Sequence, residues 1–264
     1  MQRKIIKPLK RFGQNYIQDK NVLLKIISEF NPQSKDKIIE IGPGHGALTK
    51  LLLEKVNNLT AIEIDTRVIG TLQKLSSNIK IVNDDFLKID LNSIYKNDNK
   101  KIRIIGNIPY NITSSIIFKL IDNNEIISDA VFMVQHEVAK RMTGIKGTKD
   151  YGIFSIIINY FCEVKYCFKV SRNVFQPKPN VDSAVVHLRF KSNKEDYLVQ
   201  KTFIKVVKAF FGNRRKMLRN SLSNSIFKDL NFSNCKIDLS KRAENLDIKD
   251  FIKLSKFILK NKYK

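Results

Sequence analysis

Residues 37–46 read KIIEIGPGHG and contain the turn on which the fold depends. The apolar run over 37–41 predicts a buried strand, and the glycines at 42, 44 and 46 end that strand in a tight turn. Residues 48–56 follow with the spacing of a helix. A strand that passes through a glycine-rich turn into a helix is the first unit of a parallel, doubly wound sheet.

The alternation of strands and helices continues to about residue 190. A helix is predicted over 114–122 and an antiparallel edge for the β-type runs 160–170 and 183–190. Further strands are predicted for four short apolar runs, at 60–65, 79–82, 101–106 and 129–134. We therefore predict an α/β, Rossmann-like domain over residues 1–190.

The composition changes beyond residue 190. After a polar linker at 191–196, phenylalanines and valines recur at helical spacing between 203 and 211, which predicts a smaller, all-helical domain over 191–264. This segment has 19 lysines and arginines against 7 aspartates and glutamates, about half of the chain's net charge of +23. Such a charge implies a polyanionic partner, most simply nucleic acid.

Several classes of protein are excluded by composition. No run of about 18 apolar residues predicts a membrane span, and the basic N-terminus lacks the apolar core of a secretory signal. The three histidines are scattered, and the three cysteines show no metal-ligand spacing: Cys162, Cys167 and Cys235. We therefore expect a cytoplasmic protein with reduced cysteines, without a bound metal and without a membrane.

The glycine spacing in the turn favours one cofactor. Gly42, Gly44 and Gly46 form Gly-x-Gly-x-Gly rather than the Gly-x-Gly-x-x-Gly of dinucleotide enzymes, and this form holds S-adenosylmethionine, which has no pyrophosphate. Glu63, at the end of the next strand, is placed to receive the two ribose hydroxyls. After the following strand, either Asp85 or its neighbour Asp84 could bind the amino group of the cofactor adenine, and the pattern does not separate them.

A second motif follows the predicted strand 101–106. Asn107-Ile108-Pro109-Tyr110 could bind a planar base that has an exocyclic amine. The asparagine oxygen and a backbone carbonyl before or at the proline can accept hydrogen bonds from the amine, and the tyrosine ring can stack on the base. Upstream, residues 13–19 (GQNYIQD) precede a helix; taken alone they favour a helix-entry loop, and the alternative is a lid over the methionine end of the cofactor.

These motifs together resemble the ribosomal RNA adenine N6,N6-dimethyltransferases. The resemblance spans residues 11 to about 245 and rests on several separated motifs in the family's order, with Tyr16 and Ile17 in place of the commoner Phe-Leu. Two segments, KDYG at 149–152 and FGNRRKMLRNSL at 211–222, are similar to the bacterial members that act on small-subunit RNA. The other matching segments are GQNYI at 13–17, EIGPG at 40–44, NIPY at 107–110 and VFQPKPNVDSAV at 174–185.

The resemblance implies a class I S-adenosylmethionine methyltransferase fold, and we expect a monomer. It implies dimethylation of two adjacent adenosines in a 16S rRNA hairpin, with small-subunit rRNA or the assembling 30S subunit as partner. Asn107 and the Pro109 region would hold the target amine, with Tyr110 and Phe175 on the two faces of the base. The implied cofactor contacts are Asn15, Ile17, Gly42, Glu63, Asp85 and Asn107.

A basic cluster in the predicted helical domain is a candidate RNA-binding site. Arg214, Arg215, Lys216 and Arg219 cannot all lie on one helical face, because adjacent positions are about 100° apart. We expect at least two of them to contact rRNA phosphates. The alternative is a solvated helix in which one or two form structural ion pairs.

Three other functions compete with this interpretation. A large-subunit (23S) rRNA methyltransferase of the macrolide-resistance type would share the catalytic domain but is not expected to have the basic cluster. Adenine-specific DNA methyltransferases usually have Asp-Pro-Pro-Tyr, from which Asn107-Ile108 departs at two positions. A ribosome assembly factor whose binding role matters more than catalysis would not need an intact cofactor motif.

Overall fold

The computed structural model describes residues 8–9, 12–95, 100–192, 195–212 and 216–262. The chain forms two units, one of Met1–Ala139 with Glu163–Lys191 and the other of Lys140–Cys162 with Ser192–Lys264. Within the described ranges, no helix has both the length and the apolar character that crossing a membrane requires.

The first unit is built on a mixed sheet of seven strands. In spatial order these strands are β4, β3, β2, β5, β6, β9 and β7, and a separate two-stranded sheet joins β1 to β8. The strands are β1 (Tyr16–Ile17), β2 (Lys37–Ile41), β3 (Leu59–Ile62), β4 (Ile79–Val82), β5 (Ile102–Asn107), β6 (Ile127–Gln135), β7 (Cys162–Val170), β8 (Phe175–Gln176) and β9 (Ser183–Phe190).

Helices connect the strands of the sheet and make up the second unit. In the first unit they are α1 (Lys20–Phe30), α2 (Ala47–Leu53), α3 (Thr66–Gln73), α4 (Leu91–Tyr95), α5 (Thr113–Asp122) and the start of α6 (His136–Met142). In the second unit they are α7 (Ile153–Phe161), α8 (Tyr197–Phe211), α9 (Leu218–Ser223) and α10 (Ile248–Lys262).

The direction of the strands confirms the predicted α/β architecture. β2 pairs in parallel with β3 on one side and with β5 on the other, and β6 continues the parallel part beyond β5. β9 runs antiparallel to β6, as predicted for the edge of the sheet. Because the chain leaves β2 towards β3 and later returns to β5, a crevice opens between the carboxyl ends of β2 and β5, where open parallel sheets bind ligands.

A cluster of charged side chains fixes the other end of these strands. Arg103, at the start of β5, donates from Nε and Nη2 to both carboxylate oxygens of Asp129 at 2.7 and 2.8 Å. His187 Nε2 lies 2.8 Å from the same carboxylate. Burial by itself would raise the pKa of Asp129, but the hydrogen bonds with Arg103 and His187 leave that pKa lowered. The site described below lies at the opposite, carboxyl end of the parallel strands.

The structure corrects two predictions about residues 140–170. The segment predicted as a strand from residue 160 begins with the end of helix α7, and the strand starts at Cys162. In addition, residues 140–162 belong to the helical unit rather than to the α/β domain predicted over 1–190. The reason is packing: the Tyr160 ring stacks on Phe203 at 4.1 Å, and Tyr151 Oη donates to the carbonyl of Leu246 at 2.8 Å.

Candidate active site

The glycine-rich turn after β2 forms one wall of the site. The Gly42 amide donates to the carbonyl of Ile62 at 3.0 Å, which ties the turn to the end of β3. Gly44 has a φ of +55°, and a Cβ on it would lie 2.5 Å from Cε1 of Tyr16. Only glycine takes this conformation without strain and leaves room for the tyrosine ring. The Tyr16 ring therefore packs against Gly44, whereas the backbone at Gly42 is exposed and accessible to a ligand.

Glu63 follows β3 and is bound to the glycine-rich turn. It is buried, its Oε2 accepts from the Gly44 amide at 2.9 Å, and its Oε1 accepts from the Asp65 amide at 2.9 Å. Burial raises the pKa of Glu63, and the two amide donors act against this rise. Each carboxylate oxygen keeps further acceptor capacity, so a pair of ligand hydroxyls could bind here.

Asp84 and Asp85 form the next part of the wall, after β4. Asp85 is half-buried and its Oδ1 accepts from the Leu87 amide at 2.9 Å, while Asp84 is exposed and its Oδ1 accepts from the Asp85 amide at 2.6 Å. Both side chains line the cavity described below. The lower exposure and the fixed turn favour Asp85 as the partner of a buried base, because an ordered acceptor loses less freedom on binding.

The Asn-Ile-Pro-Tyr turn lies at the end of β5, beside the crevice. Asn107 Nδ2 donates to the carbonyl of Asn15 at 2.6 Å, which leaves its Oδ1 without a hydrogen-bond partner among the described residues. The Pro109 carbonyl accepts from the Ile112 amide at 3.3 Å and from Thr113 Oγ1 at 3.2 Å. The carbonyl at the proline is therefore occupied, so the carbonyl before it, that of Ile108, is the backbone acceptor left for an amine.

Residues 13–19, which we call the arm, precede α1 and pack across the Asn-Ile-Pro-Tyr turn. A Cβ on Gly13, whose φ is +61°, would lie 3.2 Å from Asn111 Oδ1 and 3.4 Å from Pro109 Cβ. Asn15 Nδ2 donates to the Gly13 carbonyl at 3.2 Å, while its own carbonyl holds Asn107. The arm is thus in contact with the predicted catalytic turn as well as with the cofactor side of the site.

One solvent-open cavity of about 1000 Å³ brings most of the predicted residues together. The predicted site residues that line it are Asn15, Gly42, Glu63, Asp85, Asn107, Pro109 and Tyr110.

Tyr110 is anchored at the edge of this cavity by its hydroxyl. Tyr110 Oη lies 2.6 Å from Ser183 Oγ, at the start of β9. Burial raises the pKa of Tyr110, against a smaller opposite effect of the Ser183 hydrogen bond. The hydroxyl is therefore neutral and structural, and the ring is the part of the side chain that can meet a base.

Two predicted residues do not line that cavity. Ile17 and Phe175 are opposite each other in the β1–β8 pair, and both belong to the hydrophobic core of the first unit. Phe175 is 3% exposed, so in this conformation its ring offers almost no face to a base. Its predicted stacking role stays a prediction. Ile17 instead lines a neighbouring cavity together with Gly42 and Asn107.

Glu40 is a site residue that the sequence analysis did not single out. It is 1% exposed, its Oε2 has no hydrogen-bond partner in the described part of the chain, and it lines the same neighbouring cavity as Ile17. Burial raises its pKa to about 8. A buried, unpaired carboxyl oxygen fits a cationic ligand group such as the ammonium of S-adenosylmethionine. A glutamate inside an otherwise apolar strand was the signal that could have identified it.

The predicted RNA-binding cluster is only partly described. Arg214 and Arg215 lie outside the described residues. Lys216 and Arg219 are exposed, and no ion pair joins either of them to another residue whose position is described. No group of three potential metal ligands occurs in the described ranges either.

A family model and a named relative assign the chain to the same class of protein. Residues 6–260 match the model of the family described as ribosomal RNA adenine dimethylase. The chain is 42% identical over 258 residues to the ribosomal RNA small subunit methyltransferase A of Francisella tularensis subsp. novicida, which covers 96% of this chain and 98% of that protein.

Two solved structures resemble the chain over nearly its whole length. A dimethyladenosine transferase from Plasmodium falciparum has a TM-score of 0.79 at 27% identity, covering 93% of this chain and 98% of its own. The 23S rRNA methyltransferase ErmE has a TM-score of 0.68 at 24% identity, and the match covers 92% of this chain and 99% of that one. At that identity the second likeness concerns the fold alone.

Proposed function

Because the chain belongs to the ribosomal RNA adenine dimethylase family, we propose that it dimethylates N6 of adenosines in small-subunit rRNA with methyl groups from S-adenosylmethionine. The family, the predicted motifs and the geometry at the carboxyl ends of β2 and β5 support the same reaction. The Francisella relative, named for the small subunit, favours this RNA over the large-subunit alternative.

A pair of unoccupied acceptors carries the proposal. Asn107 Oδ1 and the Ile108 carbonyl stand together at the end of β5, and within the described chain neither has a hydrogen-bond partner. They match the two N–H groups of an exocyclic amine. The N6 lone pair of adenine is delocalised into the ring, and hydrogen bonds that draw the amine towards a tetrahedral geometry free it for attack. Bound S-adenosylmethionine supplies the electrophilic methyl group.

The cofactor contacts follow from the wall of the site. We assign the ribose hydroxyls to Glu63 and the adenine amino group to Asp85. The methionine end is assigned to Asn15, Ile17 and Gly42, with Glu40 beneath them facing the ammonium. The unpaired Oε2 of Glu40 supports this orientation, because a buried carboxyl oxygen is costly unless a ligand satisfies it.

The target base enters beside Tyr110. A flipped adenine has to be read along its edge and held between flat faces. The Tyr110 ring offers one face, and Phe175 would offer the other only after its buried ring becomes accessible. The basic second unit supplies phosphate contacts, through Arg214, Arg215, Lys216 and Arg219. The partner is the assembling 30S subunit in the cytoplasm, the substrate two adjacent adenosines, and the enzyme a monomer.

Mass spectrometry of nucleosides from both ribosomal subunits, with and without this protein, tests the function. We expect N6,N6-dimethyladenosine in small-subunit RNA only when the protein is present. Dimethyladenosine confined to large-subunit RNA would assign the chain to the macrolide-resistance type. No difference in either RNA, together with slowed subunit assembly, would make it an assembly factor.

A further inference from the structure

A third cavity of about 750 Å³ lies within the first unit, beside the proposed target site. It opens between the carboxyl end of β6 with the start of α6 and the loop that precedes β9. Gln135, His136 and Glu137 come from the first segment, Asn180 and Asp182 come from the second, and Arg172 reaches the cavity from the turn between β7 and β8.

The position of this cavity links it to Tyr110. Gln135 is opposite Ser183 in the β6–β9 pair, and Ser183 Oγ is 2.6 Å from Tyr110 Oη. On the other side of β6, Met133 is opposite Asn107. The cavity therefore begins where the proposed target site ends. A nucleotide joined to the flipped adenosine in the same strand has to lie on one side of that site.

The polar groups of the cavity suit a base with an amine rather than a phosphate. Two carboxylates line it, and an anion between them would be repelled. Lys169 at 2.7 Å and the Arg172 amide at 3.0 Å hold Asp182 and lower its pKa, so this carboxyl stays ionised. Glu137 is exposed on α6. Carboxylates accept hydrogen bonds from the exocyclic amine of cytosine, adenine or guanine and have no donor for the carbonyl oxygens of uracil.

An aromatic face and a cation complete the site. The His136 ring is half-buried and meets Tyr166 edge to face, with centroids 6.1 Å apart, so one flat face of the imidazole can stack on a base. Arg172 donates from Nη1 to the carbonyl of Asn180 at 2.8 Å. Its Nε and Nη2 have no partner among the residues that the structure places, and they can reach a phosphate at the mouth of the cavity.

We propose that this cavity binds the nucleobase next to the target adenosine: an amine-bearing base, adenine in the substrate proposed above. His136 stacks on the base, Glu137 accepts from its amine, and Arg172 binds the phosphate on its strand. The inference rests on the proposed function. It assigns the neighbour of the target a binding site of its own, so that the enzyme distinguishes RNAs by a base other than the one held at the target site.

The experiment compares RNAs that differ only at the neighbouring base. Small-subunit hairpins with adenine, unsubstituted purine or no base at this position are methylated by the full-length protein and by Glu137→Ala. Glu163→Ala, an exposed carboxylate on β7 outside the cavity, is the matched control. Removal of the amine should lower kcat/KM about ten-fold for the wild type and the control, and much less for Glu137→Ala. The same loss in all three proteins would overturn the assignment.

A binding measurement that needs no catalysis accompanies it. With 2-aminopurine at the neighbouring position, stacking on His136 should quench the fluorescence on binding. The quenching should persist in His136→Phe and disappear in His136→Ala. An unchanged signal in His136→Ala refutes the stacking site, whether or not the RNA is methylated. Absence of methylation on every RNA, with the quenching pattern intact, would instead count against the proposed function.

Discussion

Asn107 has two separate tasks within one side chain. Its Nδ2 holds the arm through the Asn15 carbonyl at 2.6 Å, and this bond turns Oδ1 away from the arm. The turn that follows uses the Pro109 carbonyl internally and leaves the Ile108 carbonyl as the second acceptor. A loss of Asn107 therefore affects both the position of the arm and the hold on the target amine.

Replacement of Asn107 separates these tasks. Asn107→Ala should lower turnover by about two to three powers of ten, the usual effect of removing one hydrogen bond made in the transition state. Asn107→Asp keeps an acceptor but loses the donor to Asn15, so it should also disturb the arm. Single-turnover methylation measures the rate, and calorimetry with S-adenosylhomocysteine measures cofactor affinity, which should fall far less than the rate in Asn107→Ala. Near-normal turnover of Asn107→Ala would remove this residue from the mechanism.

Glu40 makes stability depend on pH. Burial raises its pKa from 4.5 to about 8 in the folded protein, so the folded state binds the proton more tightly than the unfolded state does. Stability from this group is fully present at low pH and falls as the pH rises from about 4.5 to about 8.

Glu40→Gln should remove this dependence. Without cofactor, the variant should unfold with a higher free energy at pH 8 than the wild type, by a few kcal/mol at most, while the two converge near pH 5. Urea unfolding between pH 5 and pH 8.5 measures this, with Glu54→Gln, an exposed carboxyl at the end of α2, as control. The same variant should bind S-adenosylhomocysteine more weakly. Parallel stability curves for Glu40→Gln and wild type would contradict the raised pKa that burial gives this carboxyl.

Among the elements, α5 connects the two halves of the site. It begins directly after the Asn-Ile-Pro-Tyr turn, and Lys119 in its last turn donates to the carbonyls of Leu87 at 2.8 Å and Ile89 at 2.5 Å. The ammonium also lies 5.6 Å from the centre of the Phe86 ring. The loop that contains Asp85 is thereby held by the helix that follows the target turn. Burial lowers the pKa of Lys119, against smaller opposite effects of nearby carboxylates.

Lys119→Met should loosen the loop that carries Asp85. Two carbonyls lose their charged donor, which costs roughly 1–3 kcal/mol when such groups stay out of water. We expect a lower free energy of unfolding in urea and weaker S-adenosylhomocysteine binding by calorimetry. Lys88→Met, an exposed lysine of the same loop, is the control. If both variants bind the cofactor equally well, Lys119 does not position the site.

For the molecule as a whole, the dominant property is a net charge of +23. Lysines and arginines of the second unit account for much of it, and those that are described in the predicted cluster, Lys216 and Arg219, are exposed. Charge of this kind attracts any polyanion, so only a comparison between positions can show where the RNA lies.

Neutralising the basic cluster tests its contact with RNA. The combined variant Arg214→Gln, Arg215→Gln, Arg219→Gln should bind the small subunit more weakly. The salt slope is the slope of the logarithm of the binding constant against the logarithm of the salt concentration. Its magnitude should fall by about one unit or slightly less for each phosphate that the variant no longer binds. Cofactor affinity should not change. A control removes the same charge from exposed lysines of α10: Lys249→Gln, Lys253→Gln, Lys260→Gln. Equal slopes for the cluster variant, the control and the wild type would leave the cluster with a structural role.

The sequence by itself determined the α/β class, the glycine-rich turn, the Asn-Ile-Pro-Tyr turn and the family. These features are local: glycine spacing, proline and short apolar runs restrict the backbone within a few residues. For the same reason β2, β4 and β9 have the bounds that the sequence predicted. Glu63, Asp85 and Asn107 line one cavity because parallel strands end at the same edge of the sheet.

Tertiary packing decided the rest. Residues 153–161 are rich in isoleucine and aromatic side chains and resemble a strand, but they are buried on nearly all sides within the helical unit, where packing outweighs intrinsic preference. The burial of Phe175, the unpaired oxygen of Glu40 and the occupied Pro109 carbonyl likewise depend on neighbours distant in sequence. The burial and the hydrogen bonds of a residue depend on several segments of the chain at once, so a local sequence pattern cannot predict them.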